Sequence, residues 1–216
     1  SVLVLIVFSF LLPGTFLSKN AFFSMAYQMP EMAIYAIGIS TCMILGGIDL
    51  SVVALGNLSV VFCFQATTAL TPTIGAFPAT IVGIIIALAV GAVGGILNGI
   101  LVAKLGIPAM LATLGTSEFF MGIRLVLTGG TAIFGATDEF KWLGNGKLLG
   151  IPVPFIVFVL TILYFSFVFP RQVLGQQIYL VGTSQKASRF TGIKNDSVII
   201  KAFILSGLLA AIAGIL

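Results

Sequence analysis

Leu50 to Ala103 reads LSVVALGNLSVVFCFQATTALTPTIGAFPATIVGIIIALAVGAVGGILNGILVA, 54 residues without one Asp, Glu, Lys or Arg. As a single helix it would be about 81 Å long, against the roughly 30 Å of a bilayer's hydrocarbon core. The stretch must therefore fold back on itself. Its turn residues are grouped in Thr71-Pro72-Thr73-Ile74-Gly75-Ala76-Phe77-Pro78, where prolines and a glycine punctuate the apolar run. Two membrane spans follow, at about 51–70 and 78–103. The apolar runs are continuous rather than alternating, which excludes a membrane β-barrel.

The rest of the chain repeats the pattern. Residues 1–17 read as a first span and 26–45 as a second, entered through Pro30 and Glu31 after a short connection carrying Lys19. Gly46 and Gly47 close the second. Lys104, Gly106 and Pro108 make the turn after the fourth, and a fifth span covers 109–127. Gly129 to Gly150 is a polar segment with the only tryptophan, Trp142. A sixth span covers 152–169, Pro170 to Ser197 is the longest polar stretch, and a seventh span starts near Val198. The expected fold is an all-α polytopic helix bundle in one transmembrane domain over 1–216. Ser1 opens inside an apolar run and Leu216 closes inside another, so the sequence reads as an internal fragment, truncated at both ends.

Composition agrees. Only 7% of the 216 residues are charged and 59% are hydrophobic, with a mean hydropathy of +1.23. A soluble domain carries about a quarter charged residues. There is no histidine, and the two cysteines, Cys42 and Cys63, lie in apolar runs. They read as core residues, and most zinc, haem and histidine-based chemistry loses its ligands and bases. The net charge of +4 belongs to loops flanking the spans and is no nucleic-acid signal. When the connections are assigned alternately, one side receives Lys104, Arg171, Lys186, Arg189, Lys194 and Lys201. The other receives Lys19, Lys141 and Lys147. The first side is cytoplasmic by the positive-inside rule.

Four constellations stand out. Ala79, Gly83, Ala87, Gly91, Gly95, Gly99 and Ala103 place a small residue at every fourth position of the fourth span. Small residues let helix backbones approach closely in lipid. A spacing of four overshoots the helical period by about 40° per step, so the stripe winds and meets more than one neighbour. Gly46-Gly47-Ile48-Asp49-Leu50-Ser51 joins two spans: the glycines suit a left-handed helix end, and Asp49 or Ser51 suits the next N-cap. Such a break also suits a helix terminus facing a transport cavity. An intramembrane protease aspartate would need a second aspartate, and the spans offer none. Glu118 and Arg124 lie in the fifth span, Glu118 among Thr113, Thr116 and Ser117. Charge at that depth faces a protein interior or an aqueous path. Last, Ser184 to Gly192 fits a short surface helix with Lys186 and Arg189 on one side and Ala187 and Phe190 on the other, ended by Gly192.

With these residues in view, the chain resembles the permease subunits of bacterial ABC importers for ribose and related sugars. The resemblance is carried by Gly46-Gly47-Ile48-Asp49-Leu50-Ser51-Val52, by Gly99 to Pro108 with Ala112-Thr113-Leu114-Gly115-Thr116, by Leu127-Thr128-Gly129-Gly130, by Leu143 to Pro154, and by Val181-Gly182, Ala187, Arg189, Gly192-Ile193 and Leu205 to Ala211. It runs through essentially the whole chain in order.

The resemblance implies about ten helices in the full protein, six and part of a seventh of them here, in a multi-pass protein of the bacterial plasma membrane. It implies a second permease, two cytoplasmic ATP-binding subunits and an extracytoplasmic sugar-binding protein that faces the segment around Trp142. The helix coupled to the ATPase maps to Ser184, Gln185, Lys186, Ala187, Ser188, Arg189, Phe190 and Gly192. Lys186 and Ser188 depart from the family's usual residues there. The chain has no Gly-rich phosphate loop with its Lys and Ser or Thr, so it is expected to be no enzyme and to hold no cofactor, the ATP being used by the partner. A neutral sugar needs hydroxyl and amide groups along its path. The candidates are Ser51, Asn57, Asn98, Thr113 and Thr116, with Asp49 and Glu118 as the intramembrane acids. Those two acids are also the groups an ion-coupled secondary transporter would use, the alternative reading.

Overall fold

A computed structural model describes residues 7–8, 10–11, 18–132 and 137–216. The expected first span, residues 1–17, lies almost wholly outside them. The described chain is helical apart from one two-stranded hairpin. In order it forms α1 (Lys19–Ile44), α2 (Val52–Ile74), α3 (Ala76–Ala103), α4 (Ala109–Thr128), α5 (Asp138–Asn145), β1 (Lys147–Leu148), β2 (Ile151–Pro152), α6 (Val153–Leu163), α7 (Val173–Thr183), α8 (Gln185–Phe190) and α9 (Asn195–Ile215). α6 runs on through a π-helical turn at Tyr164–Val168 and a 3-10 turn to Arg171.

Among the described residues five helices are long and apolar enough to cross a membrane: α2, α3, α4, the α6 run Val153–Arg171, and α9. α1 is equally long but carries Gln28, Pro30 and Glu31 in its first half, which lowers its apolar character. The second span was expected over 26–45. Instead the helix starts at Lys19, where the Ser18 hydroxyl accepts from Ala21 N–H at 3.2 Å, and it runs straight through a buried Pro30. One missing N–H is tolerated in a membrane helix where neighbours re-satisfy the freed carbonyl. The α2–α3 turn also differs from expectation. It is one residue, Gly75 at φ +86°, with Pro72 inside the last turn of α2 and Pro78 in the first turn of α3, where no helical N–H bond is lost.

The polar segments hold more structure than expected. In 129–150, α5 is capped by Thr137, whose hydroxyl accepts from Phe140 N–H, and Phe140 meets Phe64 edge-on with ring centroids 6.5 Å apart. In 170–197, α7 buries Gly175, Ile178 and Val181. Both lie at a bundle end, where Lys147 stands over the Phe23 ring at one end and Lys104, Arg189, Lys194 and Lys201 share a groove at the other. The cations therefore segregate as the positive-inside reading requires.

The seam that sets the bundle's geometry is the small-residue face of α3. A Cβ on Gly91 would run into the Gly207 carbonyl oxygen, one on Gly95 into that of Phe203, and one on Gly99 would stand 2.7 Å from Ile200 Cα, all on α9. Gly83 turns instead to α2, against Thr67 and the Cys63 carbonyl, and Ala87 is buried beside Cys63 and Ile215. The stripe thus touches two neighbours. α9 answers with Gly207 against Gly91 and Gly214 against Gly56 of α2, so α2, α3 and α9 close into a tight three-helix centre.

Candidate functional site

The break between α1 and α2 is built from both glycines for different reasons. Gly46 takes φ +82°, which favours glycine. Gly47 has an ordinary φ, but a Cβ there would stand 2.7 Å from Ala109 Cβ at the start of α4. The chain then dives inward. Asp49, Ser51, Asn98 and Thr113 are fully buried and Thr116 nearly so.

These side chains form one chain of donors ending on a carboxylate. Thr116 Oγ donates to Asn98 Oδ1 at 2.6 Å, and Asn98 Nδ2 donates to Ser51 Oγ at 2.7 Å. Ser51 donates to Asp49 Oδ1 through its hydroxyl at 2.7 Å and its backbone N–H at 3.0 Å. From the far side, Ser206 Oγ donates to Asp49 Oδ2 at 2.8 Å. Thr113 ties in the loop itself: its Oγ accepts from Leu50 N–H at 3.1 Å and lies 3.1 Å from the Ile48 carbonyl. The cluster joins α4, α3, the break and α9. Ser51 occupies the N-cap position of α2 but makes no cap bond; its oxygen accepts from Asn98 Nδ2 instead.

Depth matters here. Ser206 lies about 16 Å along α9 from Asn195, about half the roughly 30 Å of a bilayer's hydrocarbon core, so the Asp49 carboxylate sits deep in the bundle rather than at its end. Among the described residues no cation pairs with it, the two ion pairs being Lys141–Asp138 and Arg189–Asp196. A buried carboxylate is tolerable only when hydrogen bonds replace its hydration, and the three donors to Asp49 do so.

The structure leaves the other two candidates apart from this cluster. Asn57 on α2 is half-buried and Glu118 on α4 is exposed, and neither has a hydrogen bond among the described residues. Glu118 shares its face of α4 with Gly115 and Gly122, around which a Cβ would meet open space. Ser206 was the partner that sequence reading missed. It stands 157 residues from Asp49, and no local signal links them.

At the end that carries the cation-lined groove, α8 matches the expected short helix. The Ser184 hydroxyl caps it by accepting from Ala187 N–H at 3.1 Å, and Gly192 ends the turn at φ +83°. Ser188 is buried and donates to Asn195 Oδ1 at 2.9 Å, while Asn195 Nδ2 donates to the Gln185 carbonyl at 2.7 Å. These bonds fasten α8 to the start of α9. Lys186 and Arg189 point outward, and Phe190 is 85% exposed.

Over residues 21–216 the sequence matches the protein family described as the branched-chain amino acid transport system / permease component. The chain belongs to this permease family. The ribose import permease protein RbsC of Escherichia coli K12 is 35% identical over the whole of this chain and 66% of its own length. The galactofuranose transporter permease protein YtfT of the same organism is 35% identical over 86% of this chain and 52% of its own length. The autoinducer 2 import system permease protein LsrC of Yersinia pseudotuberculosis YPIII is 34% identical over 89% and 53%. The chain thus spans between half and two thirds of these relatives. No solved structure matches it. The resemblance to sugar-importer permeases is upheld, and the permease is a multi-pass protein of the bacterial inner membrane.

Proposed function

We propose that the chain is the membrane-spanning part of a permease subunit of an ATP-driven importer, passing a monosaccharide handed over by an extracytoplasmic binding protein. The observation that carries the reading is α8: a capped helix, anchored through Ser188 and Asn195, that presents Phe190 and two cations to the cytoplasm in a member of a permease family whose relatives import ribose and galactofuranose. An exposed aromatic on a firmly held helix is what a partner's pocket grips. In this reading the ATP-binding subunits use the ATP, and closure of that pair moves α8. The anchored start of α9 passes the motion to the glycine seam, where packed helices shift as rigid bodies.

The path candidates divide by hydrogen-bond supply. Asp49, Ser51, Asn98 and Thr116 spend their capacity on one another and on Ser206, Thr113 spends its own on the loop and helix backbone, and all five act by fixing the break. Asn57 and Glu118 keep theirs free at membrane depth, where an unpaired polar group is costly, and so are the groups offered to a sugar's hydroxyls. The open face of α4 that carries Glu118 is then the side turned to the path and to a second permease.

The test is purification of the full-length permease expressed together with its ATP-binding subunit. The subunit should copurify, and Phe190→Ala should weaken the complex without changing the permease's unfolding temperature. A permease that retains no ATP-binding subunit, yet accumulates sugar, would point to the ion-coupled alternative and sink the proposal.

A further inference from the structure

The groove beside α8 shares Arg189 with α8 and Asn195 with its anchor, but its lysines have no part in the function proposed above. It is a cavity of about 640 Å³ lined by Lys104, Arg189, Lys194 and Lys201 around its mouth and by Ile193, Ile200 and Ile204 along its wall. The one acid in it, Asp196, lies 3.9 Å from Arg189. Lys104, Lys194 and Lys201 make no ion pair among the described residues and are exposed. The groove therefore carries a surplus of positive charge where the chain leaves the membrane.

Its polarity is graded along the membrane normal. Lys194 precedes α9 and Lys104 ends α3, both at the bilayer surface. Ile204 lies about 14 Å inside α9, level with Gly95 on α3. The cations hold the mouth and the isoleucines run inward toward mid-bilayer. Lys201 lies between them, with a stem long enough to bring its ammonium to the surface.

We propose that this groove binds an anionic phospholipid of the cytoplasmic leaflet, its phosphate among Lys104, Lys194 and Lys201 and its acyl chain along Ile200 and Ile204. Basic pockets between membrane helices on the cytoplasmic side suit such head groups. A free phosphate would use the mouth and leave the apolar wall empty. An acidic segment of a soluble partner could neutralise the rim but could not follow the wall to the depth of Ile204. The charge in this region thus serves two faces: α8 turns Phe190 and Lys186 outward, while the groove keeps its lysines for lipid.

The test is native mass spectrometry of the full-length permease titrated with phosphatidylglycerol and with phosphatidylcholine of the same chains. Phosphatidylglycerol should bind at least tenfold more tightly. Each lysine changed to glutamine should cost roughly fivefold, so the combined Lys104→Gln, Lys194→Gln, Lys201→Gln variant should lose the preference, while Lys141→Gln with Lys147→Gln at the opposite end should keep it. If the triple variant fails to fold, Lys194→Gln alone reads the same loss at about fivefold. Inorganic phosphate at millimolar concentration should not displace the lipid, and the lipid should persist when the ATP-binding subunit is bound. Equal binding of the two lipids, a preference that survives in the triple variant, displacement by phosphate, or exclusion of the lipid by the ATP-binding subunit would each overturn the proposal.

Discussion

Two sets of polar side chains lie within the membrane, and they are built on opposite principles. The Asp49 cluster is sealed: every member is buried, and its donors end on a carboxylate that pairs with no cation among the described residues. The pair Asn57 and Glu118 is open, without hydrogen bonds among the described residues, Asn57 half-buried and Glu118 exposed. The difference teaches that polarity at membrane depth serves two ends. Where donors and acceptors are matched, the group fixes geometry and contributes to stability. Where they are unmatched, it is kept for something that arrives from outside.

Substitutions should separate the two sets. The largest loss of stability is expected from Asp49→Ala, which leaves the Ser51 and Ser206 donors unpaired in the interior. The cost should be on the order of 3 kcal/mol, seen as a lower unfolding temperature in detergent. Asp49→Asn keeps an acceptor and should recover much of it, and equal losses in the two variants would show that charge rather than hydrogen bonding holds the break. Next comes Gly95→Val, whose added carbons meet the Phe203 carbonyl; overpacking of this kind costs about 1–3 kcal/mol, and a wild-type melting curve would refute the close α3–α9 seam. Ser184→Ala removes only the cap of α8 and should cost about 1 kcal/mol locally, read as faster hydrogen exchange at Ala187 with the bundle unaffected. The smallest change in stability, within about 0.5 kcal/mol, is expected for Asn57→Ala and Glu118→Gln, yet these are the variants that should slow sugar uptake. Stable, fully active forms of both would break the comparison.

How much of this could be read in the sequence depended on distance along the chain. The spans were legible because a bilayer excludes charge, and the 54 uncharged residues from Leu50 to Ala103 could be arranged in only one way. The short helix α8 was legible because its signals, the run from Ser184 and the closing Gly192, lie within nine residues of one another. The members of the Asp49 cluster were legible one by one, as polar residues in apolar runs. Their pairing was not, since Asp49 finds Ser206 only after α9 has packed on α3 through Gly91, Gly95 and Gly99. The start of α1 was misplaced for a related reason: the stretch around Lys19 reads as a connection in isolation, whereas the Ser18 cap starts the helix at Lys19 and it continues through the buried Pro30. α7 was missed, although Leu174, Ile178 and Val181 are spaced for one buried helical face, because the polar residues around them dominate the segment.

The most direct test of the central claim is sugar uptake into proteoliposomes holding the full-length permease, its ATP-binding subunit and its sugar-binding protein. Uptake should require ATP inside the vesicles, persist when ionophores collapse all ion gradients, and fall steeply with Phe190→Ala. Uptake that an ion gradient drives without the ATP-binding subunit would contradict the account.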